Sequence, residues 1–174
     1  MQAYLIRRLV PLDLADYKTL RDSMLAAHPE AFTSDAAAER ARTAESYLPR
    51  IGEDRPAGGE FTLGAWQREQ LVGAISCERD LRVKVRHIAH LVGMMVRDDL
   101  RGLGIGRALL DACIGQARAV TGLRMVTLSV TAGNAHAIRL YEGAGFVRYG
   151  TLPNAICVGG HYHAKDQMVL TLQG

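Results

Sequence analysis

The chain has 174 residues, of which 48% are hydrophobic and 22% are charged, and its formal net charge is +3. This length and apolar content predict one domain over residues 1–174 that buries a sizeable core. Acidic and basic residues are interspersed without a basic arm or stripe, which argues against nucleic acid as a partner.

The first third of the chain predicts one strand followed by two helices. An apolar run forms the strand and stops at Pro11, and apolar residues at helical spacing form the first helix, which stops before Pro29. A segment rich in Ala, Glu and Arg forms the second helix, opened by Ser34 or Asp35. The predicted bounds are a strand over residues 3–9, a helix over 12–28 and a helix over 36–51.

The rest of the chain predicts six strands and two helices. A turn over residues 52–60 precedes a hairpin near Glu69, and a glycine segment opens a helix that runs to about Val120. The predicted strands cover residues 61–68, 70–79, 85–96, 124–130, 146–152 and 166–172, and the last helix covers 134–144. The order βααβββαβαββ is typical of a mixed α/β domain in which helices interrupt one sheet.

The cysteines and the N-terminus bear on the cellular compartment. Cys77, Cys113 and Cys157 form no CxxC pair, which is typical of reduced thiols in a cytosolic protein. The first ten residues hold too short an apolar run for a signal peptide, and no run approaches the length of a membrane span. We therefore expect a cytoplasmic domain that does not bind a membrane.

Three glycines, Gly102, Gly104 and Gly106, stand between a predicted strand and a predicted helix. Such a junction binds anions readily, because the uncapped N–H groups and the helix dipole attract phosphate and the missing side chains let it approach. Packing at a tight strand–helix crossing would explain the glycines equally well. A P-loop would need Lys and Ser or Thr after Gly106, and a Rossmann turn would place its third glycine one residue later, so both are disfavoured.

Two motifs carry a resemblance to a known family. The segment RGLGIG, residues 101–106, resembles the [RQ]xxGx[GA] signature of the GNAT superfamily of N-acetyltransferases, whose loop cradles the pyrophosphate of acetyl-CoA. The segment NAHAIRLYEGAGF, residues 134–146, is similar to a second motif of that family. The resemblance covers residues 63–172 in element order, whereas the first two helices resemble the family only in kind.

The resemblance implies a set of coenzyme-binding residues. Gly93 interrupts an apolar strand, which often marks a bulge or a close backbone approach. In the family this strand separates from the next one, and its freed backbone groups bind the pantetheine arm. The implied coenzyme-binding residues are Met94 and Val96 on the strand, Arg101, Gly102, Leu103, Gly104, Ile105, Gly106 and Arg107 in the loop, and Asn134.

Tyr141 is the predicted catalytic acid. Asn134 suits a helix N-cap, and Tyr141 lies almost two turns further on, so that both face one side of the helix. In the family the equivalent Tyr protonates the departing thiolate. The alternative is a Tyr half-buried against the sheet, which is common for this residue type.

A base must also be found, because an alkylammonium group has a pKa of about 10 and has to lose a proton before it attacks. The candidates are His87, His90, Glu78 or water. His90 shares parity with Met94 and Val96, which predicts one common face for the three, and its segment resembles the strand of aralkylamine acetyltransferases that carries paired histidines. The second of those histidines is Val92 here, and a His packed at the sheet surface is an equal alternative.

Other polar segments admit weaker interpretations. His161 and His163 share a strand face but lack a third ligand at suitable spacing, so we predict no metal site and interpret the segment as the polar approach to the last strand. Tyr162 or His163 could line an acceptor pocket. Residues 32–34, Phe-Thr-Ser, fall where this fold builds its acceptor-binding wall, although they could equally form a plain loop.

The resemblance therefore implies an acetyl-CoA-dependent N-acetyltransferase in which a primary amine attacks directly in a ternary complex, with no metal. A small-molecule amine is the expected acceptor. Fold alone does not decide this, because the scaffold serves many acceptors. The alternatives are a protein N-terminal or lysine acetyltransferase and a non-catalytic acyl-CoA-binding regulatory module. Many relatives dimerise, so a homodimer stays open.

Overall fold

A computed structural model describes residues 4–52 and 58–172. Its centre is a seven-stranded sheet in the order β1-β2-β3-β4-β5-β7-β6. The strands are β1 (Leu5–Arg8), β2 (Phe61–Gln67), β3 (Gln70–Arg79), β4 (Ile88–Val96), β5 (Met125–Thr131), β6 (Val147–Val158) and β7 (His161–Thr171). Neighbouring strands are antiparallel except β4 and β5, which are parallel. The predicted mixed α/β class is confirmed.

Helices cover both faces of the sheet. They are α1 (Leu14–Ala27), α2 (Ala36–Arg40), α3 (Leu48–Ile51), α4 (Ile105–Ala119) and α5 (Ala135–Gly143). The α1 face of the sheet packs against α1 and residues 44–51, with Tyr17, Tyr47 and Met95 in its core. The α4 face packs against α4 and α5, with Leu109 and Tyr141 in its core. Within the described residues, no helix has the length and apolar content that crossing a membrane requires.

The prediction of one helix over residues 36–51 is wrong. Asp35 caps α2 by accepting a hydrogen bond from the Ala38 backbone N–H at 2.8 Å, but the helix ends at Arg40. Thr43 is extended, and a 3₁₀ turn, Ala44–Tyr47, leads into the separate α3. Pro49 lies in the first turn of α3, where its missing N–H is tolerated, and it would break the interior of a longer helix. Most of the predicted turn over 52–60 lies outside the described residues.

The last two strands are longer than predicted and form one hairpin that turns at Gly159 and Gly160, both with positive φ. The interpretation of His161 and His163 as an approach to the last strand is therefore wrong, because both lie inside β7. This polar segment lacks the alternation of apolar and polar residues that predicts a strand. Pairing with β6, for example of His163 with Ile156, keeps it extended.

Candidate functional site

The parallel strands β4 and β5 separate along their length. They pair only where Ile88, Ala89 and His90 face Met125, Val126 and Thr127. Beyond these residues the C-terminal half of β4 has no partner in β5. Backbone groups on that side of β4 are thus free to bind a ligand, which agrees with the separation that the resemblance implies.

A β-bulge in β4 lies where the separation begins. Ser76 of β3 pairs with Val92, and Ala74 pairs with Met95, so β4 carries one extra residue between these pairs. Gly93 lies in that interval and has φ +61°, a conformation that favours glycine. The bulge expected from the strand glycine is confirmed.

The bulge overturns the prediction that His90 shares a face with Met94 and Val96. Before the bulge Ala89 and Leu91 lie in the core of the α4 face, so His90 points to the α1 face. After the bulge it is Met94 and Val96 that pack against the α4-face core. The extra residue interrupts the alternation of side chains between the two faces. Residues an even number apart therefore lie on opposite faces when Gly93 stands between them.

The three glycines of the loop serve different purposes. Gly102 and Gly104 have φ of +78° and +80°, and a Cβ at either position would meet no heavy atom within 4 Å. At Gly106 a Cβ would lie 3.3 Å from Met94 Cε, so this glycine permits the close packing of α4 against β4. The first two glycines thus shape an open turn, and the third serves packing.

The N-terminus of α4 is arranged to bind an anion. Gly104 is its N-cap and has no side chain that could accept a hydrogen bond from the backbone N–H groups of the first turn. The N–H groups of Ile105, Gly106 and Arg107 therefore face the open turn, where the helix dipole adds partial positive charge. Leu103, in the turn itself, is 60% exposed.

The arginines that flank the loop are tied to the protein. Arg101 Nη2 lies 2.7 Å from Asp98 Oδ1 and 3.0 Å from His28 Nε2, at the end of α1. Arg107 donates from Nε to Asp111 and, at 3.1 Å, from Nη1 to the carbonyl of Gly143 at the end of α5. The groups that the loop offers to a ligand are therefore mainly backbone N–H groups.

The second motif forms the start and the core of α5. Asn134 is confirmed as the N-cap, because its Oδ1 accepts from the backbone N–H of Ala137 at 3.1 Å. Tyr141 is buried, with its ring edge-to-face against Phe146 at a centroid distance of 5.9 Å. Burial raises the pKa of Tyr141 to about 12, which favours the protonated phenol.

A cleft of about 580 Å³ connects the two motifs. It runs from Arg101 in the loop to Asn134 at the start of α5. The residues that line it are His28, Glu30, Ala31, Arg101, Thr131, Ala132, Gly133, Asn134, Tyr162, His163 and Ala164. Tyr162 and His163 thus lie where a ligand between the motifs would pass. No three His, Cys, Asp or Glu side chains in residues 4–52 and 58–172 form a group that could hold a metal.

Residues 32–34 are part of the packed structure. Phe32 packs against the α1-face core, and Ser34 Oγ accepts from Arg21 Nη2 at 2.9 Å. Thr33 Oγ1 accepts at 2.8 Å from Lys165 Nζ, which is buried on β7. Burial lowers the pKa of Lys165, a residue that the sequence did not single out.

A polar row crosses the α1 face where β4 and β5 are last paired. Arg50 Nε lies 3.0 Å from Glu78 Oε1, Glu78 is the cross-strand neighbour of His90, and His90 Nδ1 lies 2.6 Å from Thr127 Oγ1. We call these four residues the acceptor row, after the role that is proposed for them below. Sequence reasoning named Glu78 and His90 but missed Arg50 and Thr127, for which no local motif exists. His87 lies in the turn before β4, outside this row.

A mixed sheet that opens beside a glycine-rich helix N-terminus defines an anion-binding α/β domain. Comparison with known proteins gives the family. The model of the Acetyltransferase (GNAT) family matches residues 18–146. The chain therefore belongs to the GNAT family of acetyltransferases, as the two motifs predict.

Individual relatives agree with this assignment. A mycothiol acetyltransferase of Geodermatophilus obscurus is 34% identical over 128 residues, which are 71% of this chain and 38% of that protein. An L-methionine sulfoximine/L-methionine sulfone acetyltransferase of Pseudomonas aeruginosa is 45% identical over 58 residues, 33% of each chain. The chain thus spans between 33% and 38% of the length of these curated relatives. The crystal structure of a GNAT-family acetyltransferase from Streptococcus pneumoniae is 26% identical and matches 98% of this chain and 100% of that one with a TM-score of 0.85.

Proposed function

We propose that the protein is an N-acetyltransferase that moves the acetyl group of acetyl-CoA to the primary amine of a small molecule. The observation that carries this proposal is the C-terminal half of β4, which does not pair with β5, beside the uncapped N-terminus of α4. An extended chain with a diphosphate at one end suits this arrangement, since one part offers strand backbone groups and the other offers helix N–H groups.

The coenzyme roles follow from this arrangement. The N–H groups of residues 102–107 bind the pyrophosphate, and the backbone of Met94 and Val96 binds the pantetheine arm. The residues fit this ligand, because side chains at Gly102 and Gly104 would occupy space that is open in the structure. Asn134 holds the start of α5 through its cap and keeps its side-chain NH₂ available for the coenzyme or a water.

The chemistry is a direct transfer in a ternary complex. The amine nitrogen forms a bond to the acetyl carbon while the carbon–sulfur bond breaks, and an N–H group near the bulge polarises the thioester carbonyl. His90 takes the proton from the amine, and the Tyr141 phenol donates one to the departing thiolate. His90 is favoured over Glu78 because it sits at the last paired position of β4, next to the opening, with its Nδ1 held by Thr127.

The relatives support a small-molecule acceptor, since one of them is a mycothiol acetyltransferase and another is an L-methionine sulfoximine/L-methionine sulfone acetyltransferase. A protein N-terminus or lysine is the second candidate. A non-catalytic acyl-CoA-binding module is disfavoured because the second motif retains both Asn134 and Tyr141. A cytoplasmic location is the expectation from the sequence.

Two measurements on the purified protein test the proposal. Isothermal titration should show binding of acetyl-CoA, and a thiol-release assay should show turnover with at least one amine in a panel of polyamines, amino acids, aminoglycosides and peptides. Binding without thiol release for any amine would favour the regulatory module. Failure to bind acetyl-CoA would refute both, and affinity for ATP in its place would indicate a nucleotide site.

A further inference from the structure

The ion pair between Arg50 and Glu78 is exposed on the side where β4 opens. Its Nε–Oε1 distance is 3.0 Å, and the two side chains are 22% and 41% accessible, so that a small molecule can reach both. The pair joins α3 to β3, and Glu78 lies directly beside His90 across the strands. Opposite charges therefore stand side by side next to the proposed base.

Hydrogen-bond donors converge on the bulge from the same face. A Cβ at Gly93 would lie 3.6 Å from both Arg21 Nη1 and the Tyr17 hydroxyl, and 3.8 Å from Arg50 Nη1. Arg50 Nη1 also donates to the Tyr17 hydroxyl at 3.2 Å, which leaves the hydrogen of that hydroxyl free to point elsewhere. Glycine at position 93 keeps these donors close to the backbone where the strands separate.

The charges of this cluster are not balanced. Glu39 is shared by Arg21 at 2.8 Å and Arg42 at 3.1 Å, and Glu78 pairs with Arg50. Three guanidinium groups thus face two carboxylates, and Arg50, which pairs with Glu78 through Nε, is the one that stands at the opening. Its Nη1 donates to the uncharged Tyr17 hydroxyl, so an anionic group on a ligand would give this guanidinium a second charged partner.

We propose, resting on the proposed function, that the acceptor is an α-amino acid whose carboxylate binds Arg50 while its amine faces Glu78 and His90. Ammonium and carboxylate share one carbon in such a molecule, and this matches the neighbouring opposite charges of the row. A polyamine would place a second cation against Arg50. A peptide N-terminus carries an amide where the carboxylate should be, so both are disfavoured.

The direct test compares matched acceptors on the wild-type protein. The standard amino acids, their carboxamides and the corresponding decarboxylated amines are assayed by thiol release at saturating acetyl-CoA. Because the carboxamide and the amine lose a charge-assisted hydrogen bond, kcat/KM for the best amino acid should exceed that of its two analogues by about tenfold or more. Equal or higher rates with the carboxamide or amine would overturn the assignment.

A variant then locates the effect. Arg50→Gln should raise KM for the amino acid about tenfold or more, change kcat/KM for the carboxamide much less and keep the affinity for acetyl-CoA. The matched control is Arg7→Gln, because Arg7 also pairs with a carboxylate, Asp13, but lies on the edge strand β1, three strands away from β4. An equal loss with acid and carboxamide would contradict carboxylate binding by Arg50.

The outcomes separate this inference from the proposed function. Thiol release with amines regardless of a carboxylate would refute the amino-acid assignment and leave the acetyltransferase in place. No thiol release with any amine would refute the acetyltransferase itself. If Arg50→Gln fails to fold, as a thermal melt would show, the comparison of acid and carboxamide on the wild type still decides.

Discussion

The two sides of the opening between β4 and β5 are built in different ways. The proposed coenzyme side consists, apart from the backbone of β4, of two continuous segments, residues 101–107 and 134–146, and offers mainly backbone N–H groups. The acceptor row draws one side chain each from α3, β3, β4 and β5. A continuous segment can be recognised in a sequence, whereas a row assembled from four elements exists only after folding.

The two sides also differ in what holds them in place. On the acceptor side a buried carboxylate, Glu39, accepts from Arg21 Nε at 2.8 Å, from the Tyr47 hydroxyl at 2.5 Å and from Arg42 at 3.1 Å. This network fixes α2 and residues 44–47 against α1. The coenzyme loop takes its shape from left-handed glycines, and the ion pairs of its arginines are exposed. Substitutions should therefore separate coenzyme binding from stability.

Gly104→Asp should have the largest effect. Asp tolerates the left-handed conformation at this position better than most residues, so the fold should survive. Its carboxylate would stand in the anion site, and like-charge repulsion should lower the affinity for acetyl-CoA by more than about 100-fold, measured by isothermal titration. Unchanged affinity would show that the pyrophosphate does not bind at this loop.

Gly115→Ala is the matched control for that variant. Gly115 lies in α4 with open space around it, so alanine should raise the free energy of unfolding by about 0.5–1 kcal/mol and leave coenzyme affinity unchanged. A loss of affinity here would indicate that glycine substitutions in α4 disturb the loop indirectly.

Tyr141→Phe should lower kcat by about 100-fold or more, since it removes the proton donor, while acetyl-CoA binds as before. The edge-to-face packing on Phe146 is kept, so the melting temperature should not change appreciably. Tyr149→Phe is the control, because Tyr149 is 62% exposed. A wild-type kcat in Tyr141→Phe would exclude the acid role of this residue.

Glu39→Gln, in contrast to Gly104→Asp, should lower stability and leave coenzyme binding unchanged. Removing the charge leaves buried Arg21 without its carboxylate, which should cost about 3 kcal/mol of unfolding free energy in urea denaturation. Glu45→Gln, at an exposed position, should change it by less than about 0.5 kcal/mol. Weaker acetyl-CoA binding at a temperature where the variant stays folded would contradict the separation of the two sides.

The stability difference between the wild type and Glu39→Gln should also depend on pH. Burial raises the pKa of Glu39, but hydrogen bonds from Tyr47 and Arg21 outweigh it and lower that pKa from 4.5 to about 2. The folded state thus binds the proton less tightly than the unfolded state. The stability that Glu39 contributes is fully present above pH 4.5 and is lost as pH falls toward 2. The difference between wild type and Glu39→Gln should therefore shrink in that range.

The local structure of the two motifs could be predicted from sequence because it depends on residues that are close together in the chain. Gly102 and Gly104 need a left-handed backbone, and Asn134 caps the helix that it opens. The seven strands and the long helices could also be predicted, because the periodicity of their apolar residues is strong. Predictions failed where a distant contact decides, as in the β6–β7 hairpin, whose polar residues are held extended by pairing.

The arrangement of the acceptor row could not be predicted from the sequence, because it depends on contacts between distant segments. A single extra residue at Gly93 moves Met94 and Val96 to the face opposite His90, and parity across the strand cannot report it. Arg50 belongs to the segment that was predicted to be one continuous helix. The chain is extended at Thr43 and restarts as α3, and this break determines the position of the Arg50 side chain. Thr127 meets His90 only because β4 and β5 pair in this register.

Thr127→Val should have the smallest effect, and it tests whether His90 is the base. Valine keeps the shape of threonine but removes the hydroxyl at 2.6 Å from His90 Nδ1, and a base that acts through Nε2 needs its Nδ1 proton held there. Loss of one hydrogen bond of about 1 kcal/mol should lower kcat/KM about fivefold. Ser129→Ala, on the same face of β5, should leave it unchanged.

A double-mutant cycle with His90→Asn distinguishes this role from simple packing. If Thr127 acts by orienting the imidazole, Thr127→Val should have no further effect on kcat/KM once His90 has been replaced. If the threonine only packs against the sheet, the fivefold loss should persist in the His90→Asn background. A full-rate His90→Asn protein would transfer the role of base to Glu78 or water, and the acceptor row would then serve binding rather than proton transfer.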